Sequence, residues 1–451
     1  MHFSDEHVAS RSIEGSDVAT ATLRKITLRL IPFLFVLYIV AWLDRVNVGF
    51  AALQMNSDLR FSSAAFGFGS GVFFLGYCLF EVPSNLVLHR VGARRWISRI
   101  MISWGAILVA LMFVRAAPTF YVLRFLLGAA EAGFFPGVVY YLSHWYPEGQ
   151  RARAIAAFMT AVPVSGVIGG PLSGALLSLN GIMGLAGWQW LFLVEGIPAI
   201  FLGILVLVYL TDRPQTARWL SSEEKDWLVR RLAAERTSRN GGLPIGIFAA
   251  LTNRTIWRLG IVFLFAAIGF YGYSFWAPLV IKSLTNGTDL GVGLILGAIS
   301  GVTIVFMVLN SAHSDRADER PLHVFVPLLI MGAGFFGCAV LRQPTLAVLS
   351  LALVPIGHCA AYGPFWSMPS RFLSGAPAAA GIALVVTIAN VGGFLGPTII
   401  GAMKDRFGTH GPAFMVLGTC AMIAALLALG LRRVTFLRGA QASNLAEGLN
   451  S

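Results

Sequence analysis

The chain has 451 residues, of which 57% are hydrophobic and only 12% charged, with a formal net charge of +12. A soluble domain carries about 25% charged residues, so a water-soluble globular fold is excluded at the outset. The basic residues fall in short loops between apolar runs and form no continuous face, which is the positive-inside pattern of membrane proteins and not a nucleic-acid surface.

Residues 1–30 are polar and mixed in charge. They do not read as a cleavable signal peptide and are expected to form a cytoplasmic tail. Apolar runs of about 20 residues, the length that crosses a bilayer, then recur to the end of the chain. They predict an all-α membrane protein with twelve transmembrane helices in two six-helix bundles. The first bundle, 31–210, has helices over 31–53, 64–88, 96–114, 119–142, 154–177 and 188–210. A cytoplasmic central loop, 211–256, follows. Within it Ser221 or Ser222 caps an acidic first turn, and Trp227, Leu228, Arg231 and Leu232 give an apolar stripe, as for a surface helix lying on the bundle. The second bundle, 257–432, has helices over 257–281, 291–310, 322–341, 345–368, 378–403 and 412–431, and 433–451 forms a cytoplasmic tail.

Orientation follows from the 33 lysines and arginines. With both termini in the cytoplasm, six fall in outer loops (Arg60, Arg115, Lys282, Arg342, Lys404 and Arg406), and two, Arg45 and Arg124, lie away from the inner ends of spans. All the others are on the inner side. The two halves also repeat each other. The loop 85–95 reads NLVLHRVGARR and the loop 311–320 reads SAHSDRADER. Helix five carries GVIGGP from Gly166, and helix eleven carries GGFLGP from Gly392. A six-plus-six repeat predicts two bundles that rock about a central cavity at the midplane. The four cysteines, Cys78, Cys338, Cys359 and Cys420, lie in apolar runs without metal-ligand spacing and are expected as buried free thiols.

Charge within the spans is the strongest functional signal. Asp44 and Arg45 sit in the first helix, and Arg124 and Glu131 in the fourth. Such groups are tolerated at membrane depth mainly when they face a cavity or a partner. A guanidinium can grip a carboxylate through two parallel hydrogen bonds, and a carboxyl group can carry a proton. Arg124 and Glu131, seven residues apart, share nearly one helix face. Asp44 and Arg45 diverge by about 100°, so both cannot aim at one ligand; either could face the cavity. A purely structural ion-pair network is the weaker alternative, because buried pairs rarely stabilise on their own. Glu81 and Glu195 could titrate during transport but read first as groups that satisfy helix ends or loop arginines near the inner gate, and His358 reads as a packing residue before a proton relay. Tyr38, Tyr77, Tyr271, Tyr273 and Trp366 are candidate ligand contacts among aromatic residues that otherwise serve packing. Helix five reads MTAVPVS from Met159, with no amide to bind sugar hydroxyls, which favours a dicarboxylate or aromatic acid over a long sugar acid. No phosphate loop, metal spacing or nucleophile constellation supports an enzyme, and no cofactor is expected.

The loop RVGARR from Arg90 resembles the signature between helices two and three of the major facilitator superfamily, with His89 in place of its usual acidic residue; the second copy keeps that residue as Asp315-Arg316. Four strings, WLDRVN from Trp42, GYCLFEVPSN from Gly76, RFLLGAAEAG from Arg124 and WQWLFLVEGIP from Trp188, are similar to the anion:cation symporter family within it. The likeness covers nearly the whole chain and is closest in style to bacterial importers of tartrate, phthalate, hydroxyphenylacetate or sugar acids. It implies that Arg45 and Arg124 bind the substrate carboxylate and that Asp44 and Glu131 couple protons. It also implies that Asn390 contacts substrate. Separately, the clusters Arg90, Arg94, Arg95 and Asp315, Arg316, Arg320 lie at cytoplasmic helix ends, where cations suit helix C-termini and can pair with acids of the opposing half, and are expected to latch the inner gate when the outer one is open. The expected partners are a small organic anion, a proton and the lipid bilayer of the plasma (inner) membrane, with no nucleic acid, and the chain is expected to act as a monomer. A proton-coupled exporter is the rival reading.

Overall fold

The computed structural model describes residues 3–239, 252–368 and 376–448, and these are helical almost throughout. Among the described residues eleven helical segments are long and apolar enough to cross a membrane. The helix α3 (Ala93–Leu111) stands apart because Arg94, Arg95 and Arg99 occupy its first two turns. Together they give the twelve spans expected.

Most predicted spans match single helices: α1 (Phe3–Asp58), α2 (Ser63–Val91), α3 and α8 (Gly187–Tyr209) in the first half. In the second half they are α10 (Arg254–Thr285), α11 (Asp289–Ala317), α12 (Pro321–Val340), α13 (Pro344–Ser367), α14 (Ala376–Phe407) and α15 (Gly411–Gly448). Two expected continuous helices are broken. The fourth span is α4 (Ala117–Glu131) followed by α5 (Phe134–Leu142), and the fifth is α6 (Glu148–Met159) followed by α7 (Ala161–Leu177). At the first break Ala132 turns extended and Gly133 takes a left-handed φ of 89°, a conformation that glycine adopts without steric cost. The hydroxyl of Ser84 donates to the Ala132 carbonyl at 2.6 Å, satisfying a group the break leaves open. At the second break Pro163 has no N–H to continue the ladder from α6.

The halves repeat one packing plan. In the first, α3 packs on α8, α2 on α4 and α1 on α7; in the second, α12 packs on α15, α11 on α13 and α10 on α14. Between halves, α2 meets α14 and α7 meets α11. These crossings rest on glycine: a Cβ on Gly293 would lie 2.2 Å from the Gly170 carbonyl oxygen, and one on Gly67 would lie 2.5 Å from that of Pro397. Only backbones without side chains approach so closely.

The central segment holds α9 (Ser222–Arg239). Ser221 is its cap: its hydroxyl accepts from the Glu224 N–H at 3.2 Å, and Glu224 accepts from the Ser221 N–H at 2.7 Å. Slight burial opposes ionisation of Glu224, but the Ser221 N–H and the Lys25 ammonium hold its carboxyl below the ordinary value. Leu228 and Leu232 are buried and Trp227 half-buried, so α9 lies against the bundle as a surface helix. The rest of the expected loop, residues 240–251, lies outside the described residues.

Candidate functional site

The break after Glu131 places that carboxylate at the end of α4, beside α1. Arg45 forms an ion pair with Glu131, so of the two neighbours on α1 it is Arg45 that turns toward the fourth span. Its guanidinium also sits over the rings of Trp42, Phe73 and Tyr77, at 5.4, 5.6 and 5.3 Å from their centroids. The side chains of Tyr38, Tyr77 and Tyr271 lie within electrostatic reach of it. Arg124 is fully buried. Its Nε donates to the Gly69 carbonyl at 3.4 Å and its Nη2 to that of Ser70 at 3.3 Å, while Nη1 has no partner. It lies within reach of both Glu131 and Arg45. The two arginines therefore share one neighbourhood, with one carboxylate between them.

Asp44 turns elsewhere. It makes no ion pair among the described residues; instead it accepts the indole N–H of Trp104 on α3 at 2.6 Å. The 100° step along α1 turns it away from α4 and toward α3. Glu195 on α8 accepts from the side-chain amide of Asn47 at 2.7 Å and from the Ser173 hydroxyl at 3.4 Å.

The second half contributes rings. Tyr271 meets Phe74 across the halves at 4.5 Å, and Phe275 lies 5.8 Å from the Arg124 guanidinium. Tyr273, two residues from Tyr271, is buried on the other side of α10 near Cys359 and does not face the arginines. Trp366 packs on Phe263 and Tyr362, at 5.1 and 5.9 Å. It is Tyr362, not chosen from the sequence, that lies within reach of Tyr38 and Tyr271. The spacing does not separate the two, since Tyr362 and Trp366, one turn apart, share a face of the helix at different depths. Asn390 is buried against Cys78 of α2, at the seam between halves. His358 is stacked on Phe270 at 4.1 Å, as expected of a packing histidine.

The gating clusters lie at helix ends. Arg90 lies in the last turn of α2, but Arg94 and Arg95 lie in the first turn of α3 and not in a loop. A cation is disfavoured at a helix start, and Asp212 offsets it: its carboxylate accepts from the Arg94 backbone N–H at 3.1 Å and pairs with the guanidinium at 3.3 Å. Arg320 pairs with Asp315 at 2.6 Å, within its own half, and Arg316 is exposed. Among the described residues no ion pair joins the two clusters.

At the opposite face the halves are fastened together. The carboxylate of Asp405, at the end of α14, accepts from the backbone N–H groups of Ser63 and Ala64 at 2.9 and 2.8 Å, so it caps α2 from the other half. Gln54 donates to Asp289 at 2.8 Å, and Lys282 pairs with the same carboxylate at 2.8 Å. The molecule is therefore closed at the end of the bundle remote from the arginine clusters.

The sequence profile of the Major Facilitator Superfamily matches residues 34–397. The chain belongs to this superfamily. As such it is a multi-pass transporter of the inner (plasma) membrane and not an enzyme. It is 47% identical over 93% of its length, and 93% of the other protein's, to a putative tartrate transporter of Agrobacterium vitis. It is 37% identical over 91% of its length, and 95% of the other's, to a quinolone resistance transporter of Acinetobacter baumannii. Among solved structures, a bacterial homologue of the human lysosomal transporter Spinster, inward-facing and unoccupied, superposes with a TM-score of 0.76 at 18% identity, covering 93% of this chain and 98% of that one. That superfamily likeness extends to the fold alone.

Proposed function

We propose that the protein imports a small organic carboxylate by proton symport, the two halves 31–210 and 257–432 rocking about the Arg45–Arg124 neighbourhood in alternating access. The observation that carries this reading is the sharing of charge there: Glu131 pairs with Arg45, while the hydrogen bonds of Arg124 among the described residues go to backbone carbonyls. An incoming carboxylate supplies the anion that Arg124 lacks and competes with Glu131 for Arg45. Once displaced, Glu131 sits in an apolar site without its cation, and a carboxyl there binds a proton more readily. Anion and proton then enter together, and the loaded site is nearly neutral. Asp44 is the second proposed proton carrier. The name of the Agrobacterium relative supports tartrate or a similar dicarboxylate as substrate; a hexonate is the alternative, which the absence of an amide in 159–165 disfavours. The protein is proposed to act as a monomer.

The name of the quinolone resistance relative favours a second reading, proton-coupled export. Paired arginines suit anions, whereas exporters of cationic drugs need an acidic pocket. Purified protein in proteoliposomes decides between them. Under an inward proton gradient labelled tartrate should accumulate, ahead of sugar acids in a panel of aromatic and sugar acids, and Arg124→Gln should abolish the accumulation. Uptake that falls as the inward gradient is imposed would reverse the proposed direction.

A further inference from the structure

Behind the arginines, on the far side of α1, lies a second pair of carboxylates. Asp44 and Glu195 are 2% and 5% exposed and lie within electrostatic reach of each other. Asp44 comes from α1, Glu195 from α8, and Asn47, one turn beyond Asp44, lies on the same face of α1. The groups aimed at the pair are neutral donors: Trp104 from α3 to Asp44, and Asn47 and Ser173 to Glu195. The cations on the surrounding helices are engaged elsewhere. Arg45 pairs with Glu131, Arg99 stacks on Trp96 at 4.0 Å, and Arg124 is held by the carbonyls of residues 69 and 70. The other charged group within reach of Asp44 is again a carboxylate, Glu131.

Two ionised carboxylates in a dry site with no cation repel each other and are both poorly solvated, a combination that proteins avoid by keeping a proton on the pair. The hydrogen bonding asks for the same thing. Asp44 Oδ1 and Asn47 Oδ1 are buried acceptors with no donor, and leaving a buried acceptor unpaired is unfavourable. A protonated carboxyl supplies a donor at this place.

We propose that Asp44 and Glu195 form a proton-holding site, separate from the Arg45–Glu131 pair and tied to it by α1. Its loading in each transport cycle rests on the symport reading. Because Asp44 and Arg45 are adjacent, a tilt of α1 that frees Arg45 from Glu131 also moves Asp44 against Trp104 and Glu195. Substrate capture on one side of the helix thereby changes the hold on the proton at the other.

Infrared spectroscopy of the purified, substrate-free protein at neutral pH tests the site without any transport. The wild type should show the carbonyl stretch of a protonated carboxyl in a dry environment, with a shift in deuterated solvent. Glu195→Gln or Asp44→Asn should remove it. Ser173→Ala, which deletes one donor to Glu195 and is the mildest change if the others fail to fold, should shift the band without removing it. No band in the wild type, or an identical band in every variant, overturns the proposal. In proteoliposomes Glu195→Gln should lower the ratio of protons to tartrate while tartrate exchange persists; an unchanged ratio removes the site from the cycle. Should wild-type uptake ignore the proton gradient while the band stands, the symport reading fails and the proton site does not.

Discussion

The two halves of this molecule share a packing plan and almost nothing of their buried chemistry. The first half buries Asp44, Arg124, Glu131 and Glu195 and nearly buries Arg45, whereas the second half, among the described residues, buries no Asp, Glu, Lys or Arg. Its interior polar groups are hydroxyls, His358 and Asn390, set among aromatic rings. Repetition has copied the scaffold, meaning which helix packs on which, and left the side chains free to diverge. One half is built to hold charge. The other supplies a neutral surface that can close over it without adding a competing ion.

The sharpest way to break this contrast is to remove a cation from the charged half. Arg45→Ala leaves Glu131 buried without its partner, a change that costs about 3–5 kcal/mol in other proteins. We expect a lower melting temperature and no measurable uptake. Arg124→Lys should also fail in uptake, because an ammonium cannot span two backbone carbonyls and still offer a planar fork to a carboxylate. Glu131→Gln should come next in size. Accumulation driven by a proton gradient should be lost while substrate exchange survives, since exchange requires no net proton release. Full proton-driven accumulation by this variant would remove Glu131 from the coupling role.

Much of this division was legible in the sequence, and the reasons it was not fully so are physical. Hydropathy and the lysine and arginine distribution gave the twelve spans, because lipid imposes them segment by segment. The breaks at Gly133 and near Pro163 were not anticipated, since glycine and proline also occur inside unbroken membrane helices, as Pro32 and Pro83 do here. Arg45, Arg124 and Glu131 stood out as charges in apolar runs, and the structure brings them together. Their pairing was another matter. Adjacent residues diverge around a helix, so the string holding Asp44 and Arg45 could not say which would meet α4. Trp104 and Asn47, neutral and ordinary in such segments, became visible as partners only once the helices were packed.

A weaker perturbation tests closure rather than chemistry. Asp405 belongs to the half without buried charge, yet it caps α2 of the other half through two N–H groups. An Asp405→Asn side chain offers one acceptor oxygen and no charge to the start of α2, where a carboxylate is favoured. A loss of about 1–2 kcal/mol corresponds to a factor of about 5–30 in an equilibrium. The population with the far end open should rise accordingly, at little cost in folding. A cysteine introduced as Phe74→Cys, where Tyr271 now covers the ring, should be labelled faster by an impermeant thiol reagent when Asp405→Asn is present. Equal labelling rates would mean that the glycine-lined crossings hold the halves together without the cap.

The smallest expected effect concerns how the neutral half takes part at all. Tyr362 reaches toward Tyr38 and Tyr271, while Tyr273 faces away. If the second half contributes only shape, Tyr362→Phe should be silent. If its hydroxyl bonds the substrate in the closed state, the loss is that of a single neutral hydrogen bond, about 0.5–1.5 kcal/mol, or a weakening of apparent affinity by about twofold to tenfold. Tyr273→Phe is the matched control, with the same hydroxyl removed from the same half on the side that does not face Arg45. A difference between the two variants in apparent affinity, with maximal rate unchanged, would show that the aromatic half reads the ligand. Identical behaviour would reduce its part to excluding water, and selectivity would then have to come entirely from the spacing of the arginines.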